Sequence, residues 1–304
     1  MPLDMLQLTE PIGLDPKQFI GIPIALVGAV FLSLGAQFQH RGVTKVEANT
    51  NQADKGLNVR QMMALLGRPS WVLGTLMLGL AIVFQLTSLG FSPIIVVQPL
   101  GAVALVITAI LNSRVSRVKL NRSSVISIML CVGGVGLFVL VAAFTAVDKP
   151  VRTRELIVIL IILAVVLALF AVGFAFLRRR FKAIAYIVGA GVLYGFVATL
   201  AKVVISRILQ ADFEWLTVLA IAGLLAAAAL GGYFVQNAYS SGPPDLVIAG
   251  LTVIDPLVAV GIGILVLGEA SQAPLWAIFA FLAAGLVAIL GVFGLARYHP
   301  QTQH

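Results

Sequence analysis

The chain has 304 residues, 60% hydrophobic and only 11% charged, with a mean hydropathy of +1.07, and this excludes a water-soluble globular domain. The formal net charge is +8, but no basic stripe lies on a separate soluble domain, so a nucleic-acid partner is not expected. Lipid is the solvent that suits this composition, and the basic residues must be explained by where they fall between apolar runs.

A hydrocarbon core about 30 Å thick needs about 20 apolar residues in a helix. Residues 1–18 carry Asp4, Glu10 and Asp15 against Lys17, the wrong flank for a cleaved signal, so this is an N-terminal segment ahead of a retained span. The first span, 19–39, closes on the polar Gln37, Gln39 and His40. A basic stretch over 40–70, with the polar EANTNQADKG, is expected to be a mobile loop. Spans at 71–90 and 92–112 follow, the second holding Gln98-Pro99. The fourth, 123–146, holds Cys131, the chain's one cysteine, which allows no disulfide or cysteine-based zinc site and is expected to serve packing. A fifth span at 155–177 leads into Arg178, Arg179, Arg180 and Lys182. Four more, at 183–206, 214–237, 246–268 and 274–297, complete a count of nine before the tail 298–304. The alternation of barrel strands is absent, so the fold class is all-α and polytopic.

Nine spans put Arg41, Lys45, Lys55, Arg60 and Arg68, then Arg114, Arg117, Lys119 and Arg122, then the 178–182 cluster and Arg297 on one side. Lys17, Lys149, Arg152, Arg154 and Arg207 fall on the other. By the positive-inside rule the richer side is cytoplasmic, with the N-terminus outside and the C-terminus inside a plasma-type membrane. Anionic lipid of the inner leaflet is the expected partner of these loops.

The spans repeat weakly in fours. VGAVFLSLGAQFQHRG in the first parallels VGAGVLYGFVATLAKVV in the sixth, Gln85 and Gly90 parallel Gln236 and Gly242, and Gln98-Pro99 parallels Asp255-Pro256. An odd number of helices separates the units, so the second enters the membrane from the opposite side. The expected plan is two inverted four-helix repeats, 19–146 and 183–297, joined by a linking helix and basic loop at 147–182. Gly133, Gly134 and Gly136 in span four should pack on Ala283, Ala284, Gly285, Gly291 and Gly294 in span nine.

This plan, with QFQHRG closing span one, the run SPIIVVQPLGAVALVITAILNSRVSRVKLN and KVV in span six, resembles the drug/metabolite transporter superfamily. Within it the chain is most similar to the NIPA-like magnesium transporters, on Pro99, Leu100, Gly101 and Ala102 and then Lys119, Leu120 and Asn121. Each repeat is also similar in outline to a small multidrug resistance subunit, without the acidic residue of its first helix. The resemblance implies a transporter fold and class without naming the substrate; were magnesium the cargo, Asp255 would be its carboxylate.

Polar side chains in hydrocarbon need a reason, since Asp, Lys or Arg costs roughly 2.5–3.5 kcal/mol on insertion scales. Asp255 sits mid-span, and Pro256 after it frees the carbonyl of Thr252. Gln98 holds the matching place before Pro99, and paired proline-broken helices point to a transport site. Gln85, Gln236 and Asn237 are ligands or helix-to-helix glue; Lys202 is a ligand or snorkels outward; Gln37 is a ligand candidate, with Gln39 and His40 as gating or interfacial groups. Three histidines, two of them in the tail, make no catalytic or metal cluster, and no GxxxxGK[ST] loop is present, so neither an enzyme nor a cofactor is expected. The expected function is transport of a small polar or cationic solute by alternating access, with divalent-cation transport as the alternative. Envelope-lipid handling or a non-transporting subunit is the reading of another class, and a homodimer is left open.

Overall fold

The computed structural model describes residues 18–48, 67–116, 121–177, 183–212, 214–241 and 244–298. All their regular structure is helical: α1 (Gln18–Ala48), α2 (Pro69–Phe91), α3 (Gly101–Ser116), α4 (Arg122–Thr145), α5 (Thr153–Leu177), α6 (Ala183–Leu209), α7 (Trp215–Ser241), α8 (Pro244–Leu265) and α9 (Leu275–Tyr298), with a helical turn Ile94–Val97 and a 3-10 turn Gln98–Leu100 leading into α3. Among the described residues nine helices are long and apolar enough to cross a membrane, one for each expected span, and the protein is a multi-pass membrane protein. Side chains such as Leu76, Met129 and Leu169 stay exposed because lipid, not protein, covers them.

Local chemistry sets several boundaries. Pro69 starts α2, where its missing N–H is no loss, and Asn121 caps α4 by accepting from the Ser124 N–H at 2.7 Å. Pro99 interrupts the third span, whose helix tightens to a 3-10 turn at Gln98–Leu100. The expected second break is absent: Pro256 lies inside α8, which runs unbroken from Pro244 to Leu265. Neighbouring helices can hold a proline-bearing helix straight in lipid, and here Gly191 and Gly195 of α6 admit Ile254 and Val258 against their backbone. The expected 40–70 loop is also shorter, because α1 continues to Ala48. The remainder of that loop, the N-terminal segment before Gln18, the 178–182 cluster and the tail from His299 lie outside the described residues.

The same pairings recur in each half. Helix α1 packs along α2 and also touches α3, while α6 packs along α7 and α8. A Cβ on Gly74 would lie 2.7 Å from the Gly35 carbonyl oxygen, so α1 and α2 meet backbone to backbone. The halves join chiefly through α4 and α9. Only part of the expected small-residue series makes that seam: a Cβ on Gly134 would meet the Ala288 nitrogen at 2.5 Å and the Ala284 oxygen at 2.8 Å, and one on Gly291 would strike the Cys131 backbone. Gly133 and Gly136 meet nothing within 4 Å, and Gly285 meets only Phe138 at 4.0 Å, since glycines one or two positions apart turn to different helix faces. Cys131 is fully buried at this contact, in the packing place expected of it. Helix α5 lies at the periphery, with 17% of its apolar window buried.

Candidate functional site

A cavity of about 480 Å³ opens between α1, α2, α3, α6 and α8. Its apolar walls are built largely of glycine, alanine and leucine from α1, α2, α3 and α6, and its polar lining comes from Gln85, Gln98, Tyr194, Thr252 and Asp255. Four of the sequence-predicted residues, drawn from both halves, thus share one space. Gln98 is buried at the 3-10 turn, and the Thr252 hydroxyl donates to the Ile248 carbonyl at 2.8 Å. Asp255 differs: its Oδ1 is buried and has no hydrogen-bond partner. A buried oxygen without a donor is costly, and it is chemically suited to a proton, a cation or a hydrated ion in the adjoining space. Tyr194 was not found from sequence; nothing in its spacing marks it, and only the packing of α6 beside α8 brings it to the cavity.

Lys202 does not share this cavity. Its neighbour Ala201 lines the central space, whereas Lys202 lines a second cavity of about 180 Å³ with Asp148, Lys149 and Gln210. Instead of reaching water alone, the ammonium is 3% exposed and pairs with Asp148 at 2.9 Å while donating to the carbonyls of Leu89 at 2.7 Å and Ser92 at 2.9 Å. Arg207, also fully buried, pairs with Asp212 at 2.9 Å and Glu214 at 3.3 Å and donates to Thr217 at 2.8 Å. The sequence leaves Lys202 as a ligand or a snorkelling cation and puts Arg207 outside the membrane; the acids that pair with them, Asp148 and then Asp212 and Glu214, lie in the connections beside α6.

Glu269 is the largest omission. It sits in the turn between α8 and α9, is 2% exposed, and accepts the Ile94 and Ile95 N–H groups at 2.9 Å each, so it caps the short turn that precedes Gln98. Burial pushes its carboxyl up to about 7, against the lowering effect of the Lys202 charge and the two N–H bonds. A folded-state value above the unfolded one, about 4.3, means stability that is full below the unfolded value and is lost as pH rises through about 7. Glu269→Gln offers one oxygen to two N–H groups and should cost about 1–3 kcal/mol. Thermal melts in detergent from pH 5 to 8 should show wild-type stability falling more steeply than that of the variant. Parallel pH profiles would refute the assignment.

The remaining predicted residues are dispersed. Gln39 donates to Thr75 at 3.0 Å and ties α1 to α2 at the opposite end of the bundle, near Gln37. Gln236 is exposed, and the Asn237 amide donates to its own helix at the Tyr233 carbonyl at 2.7 Å; neither lines the central cavity. The side chain of His40 lies outside what is described. No group of three metal-ligating side chains occurs among the described residues.

A family model described as magnesium transporter NIPA matches residues 16–153. An uncharacterized protein of Corynebacterium glutamicum is 26% identical over 283 residues, covering 92% of this chain and 96% of that protein. In Arabidopsis thaliana, probable magnesium transporter NIPA4 is 28% identical over 122 residues, 40% of this chain and 34% of that protein. Probable magnesium transporter NIPA1 is 25% identical over 121 residues, 40% of this chain and 35% of that protein. The chain therefore spans about a third of the length of these plant relatives. No solved structure matches. The comparisons relate this polytopic membrane protein to transporters rather than to enzymes. The family match covers Gln85 and Gln98 but ends before Lys202, Asp255 and Glu269, whereas the bacterial likeness extends over both halves.

Proposed function

We propose that the chain carries a small cation across the plasma membrane, magnesium first among the candidates, by alternating access around Asp255. The observation that carries this reading is Asp255, which lines a cavity of about 480 Å³ and whose buried Oδ1 has no hydrogen-bond partner. Magnesium prefers oxygen ligands and keeps several waters. Six waters at about 30 Å³ each fit such a cavity, and one carboxylate with amide and hydroxyl groups suits a hydrated ion in passage better than a resident one. The likeness of residues 16–153 to magnesium transporters favours this cargo over the wider range of polar solutes handled by drug/metabolite transporters.

Two inverted four-helix repeats are the arrangement we infer. The recurrence of α1 with α2 as α6 with α7, the α4–α9 seam and the peripheral α5 support it. We place the N-terminus outside, and two of the cations that then lie outside, Lys202 and Arg207, are neutralised by local acids. Purified protein in liposomes loaded with a magnesium-sensitive dye should give saturable uptake that monovalent cations and neutral metabolites do not reproduce. Saturable flux of a neutral solute without magnesium flux would overturn the cargo, and no flux of any solute would overturn transport itself.

A further inference from the structure

We propose that the small cavity beside Asp148 and the central cavity beside Asp255 are successive stations on one solute path, and that the Lys202 ammonium is the gate between them. The inference rests on the transport reading and adds to it the route and its moving part. Leu89 lines both cavities, and on α6 Ala201 lines one while Lys202 lines the other, so the two spaces border each other at Leu89. Leu89 and the three bonds made by Lys202 stand at this border.

These bonds hold together three elements that alternating access would have to separate. The Leu89 and Ser92 carbonyls belong to the C-terminal end of α2, where helix carbonyls lack partners in their own helix and carry partial negative charge. Asp148 belongs to the connection between α4 and α5, and Lys202 to α6. An ammonium has three donors, and here three acceptor groups use them. Asp148 lines the small cavity and is 28% exposed, whereas Leu89 and Ser92 are buried. When the end of α2 moves away, water of the vestibule can replace the two carbonyls and Asp148 together around the Lys202 ammonium, so opening does not strand a buried charge. A cation entering the vestibule competes with Lys202 for the same carboxylate, and this links arrival of cargo to opening. The neighbouring connections stay fixed during this step: the Val147 N–H donates to the Glu269 carbonyl at 2.8 Å, and Lys149 donates to Ser271 at 2.7 Å.

The test uses full-length protein in a Cys131→Ala background. Ala198→Cys places a thiol in the central cavity, and Lys149→Cys, in a separate variant, marks the vestibule side of the membrane. An impermeant cationic thiosulfonate is applied on the side where the marker reacts. Adding Lys202→Met, or independently Asp148→Asn, should raise the rate of modification at position 198 about tenfold, as lowering the closing free energy by about 1.4 kcal/mol would do. Asp148→Asn leaves the α2–α6 bonds in place and guards against misfolding of the Lys202 variant. In the second arm Gly90→Cys with Ile205→Cys closes the same gap, since a Cβ at Gly90 lies 3.5 Å from Ile205 Cγ2. The disulfide should abolish magnesium flux, and reductant should restore it. An unchanged modification rate in both charge variants, or full flux through the oxidised pair, would overturn the gate. Wild-type liposomes without flux but with the accessibility change intact would count against transport while supporting the gate.

Discussion

Asp255→Asn is expected to leave the fold intact and abolish coupled cation uptake. The substitution keeps the volume and a hydrogen-bonding group but deletes the one carboxylate among the named polar groups of the central cavity. Because Oδ1 makes no hydrogen bond, no structural partner is lost with the charge. A charge in the membrane interior must be neutralised by whatever binds it, so the species that neutralises Asp255 is linked to the transport cycle. With magnesium as cargo, divalent uptake disappears at every pH; with a proton as the bound species, a pH-independent leak or exchange remains. Gln98→Ala should do less, raising the apparent substrate constant, because an amide in a membrane contributes about 0.6–2 kcal/mol. Dye-based flux alongside detergent melts separates these cases. Wild-type flux through a folded Asp255→Asn protein would return Asp255 to a structural role.

Gly134→Leu should severely damage the apolar seam. Its Cβ alone would reach 2.5 Å from the Ala288 nitrogen, and that obstacle is the backbone of α9, which cannot rotate aside as a side chain can. The helices must separate, at a cost at or above about 3 kcal/mol, the upper end of the range typical of overpacking, against a gain of about 1 kcal/mol in helix propensity on replacing glycine. Gly285→Leu is the control. It sits on the same seam in sequence terms, yet its Cβ meets only Phe138 at 4.0 Å and it borders an apolar space of about 80 Å³. Its thermal midpoint in detergent should stay near wild type while that of Gly134→Leu collapses. Equal losses would show that the close approach of α4 and α9 is not what stabilises the pair.

The sequence made most of the framework legible because its signals are strong and local. Twenty apolar residues need no partner to declare a span, and Asp255 and Gln98 stand out because hydrocarbon penalises them wherever they pack. What stayed hidden depends on residues far away in the chain. Glu269 reads as an ordinary acid in a polar turn until the Ile94 and Ile95 N–H groups, 175 and 174 residues distant, are found to bury it. Lys202 reads as a snorkelling cation until Asp148, 54 residues away, closes on it. The glycines of span four could not be sorted because rotation about the helix axis decides which of Gly133, Gly134 and Gly136 meets a neighbour, and a stripe of small residues leaves that angle undefined. At Pro256 the residue type signals a break, but the seat provided by Gly191 and Gly195 decides the outcome.

The distance between Glu269 and the turn that it caps also sets an order of events during synthesis. A ribosome adding about 5–20 residues per second delivers Glu269 on the order of ten to thirty seconds after Ile95, which lies 174 residues earlier. Until then the two N–H groups ahead of Gln98 lack their carboxylate, and the Gly134 face of α4 lacks α9, which is made later still. The nascent first half therefore waits in the bilayer as an unfinished unit, its exposed donors and bare helix face open to lipid, water or an insertion factor. The bundle closes only when Glu269 and α9 have emerged.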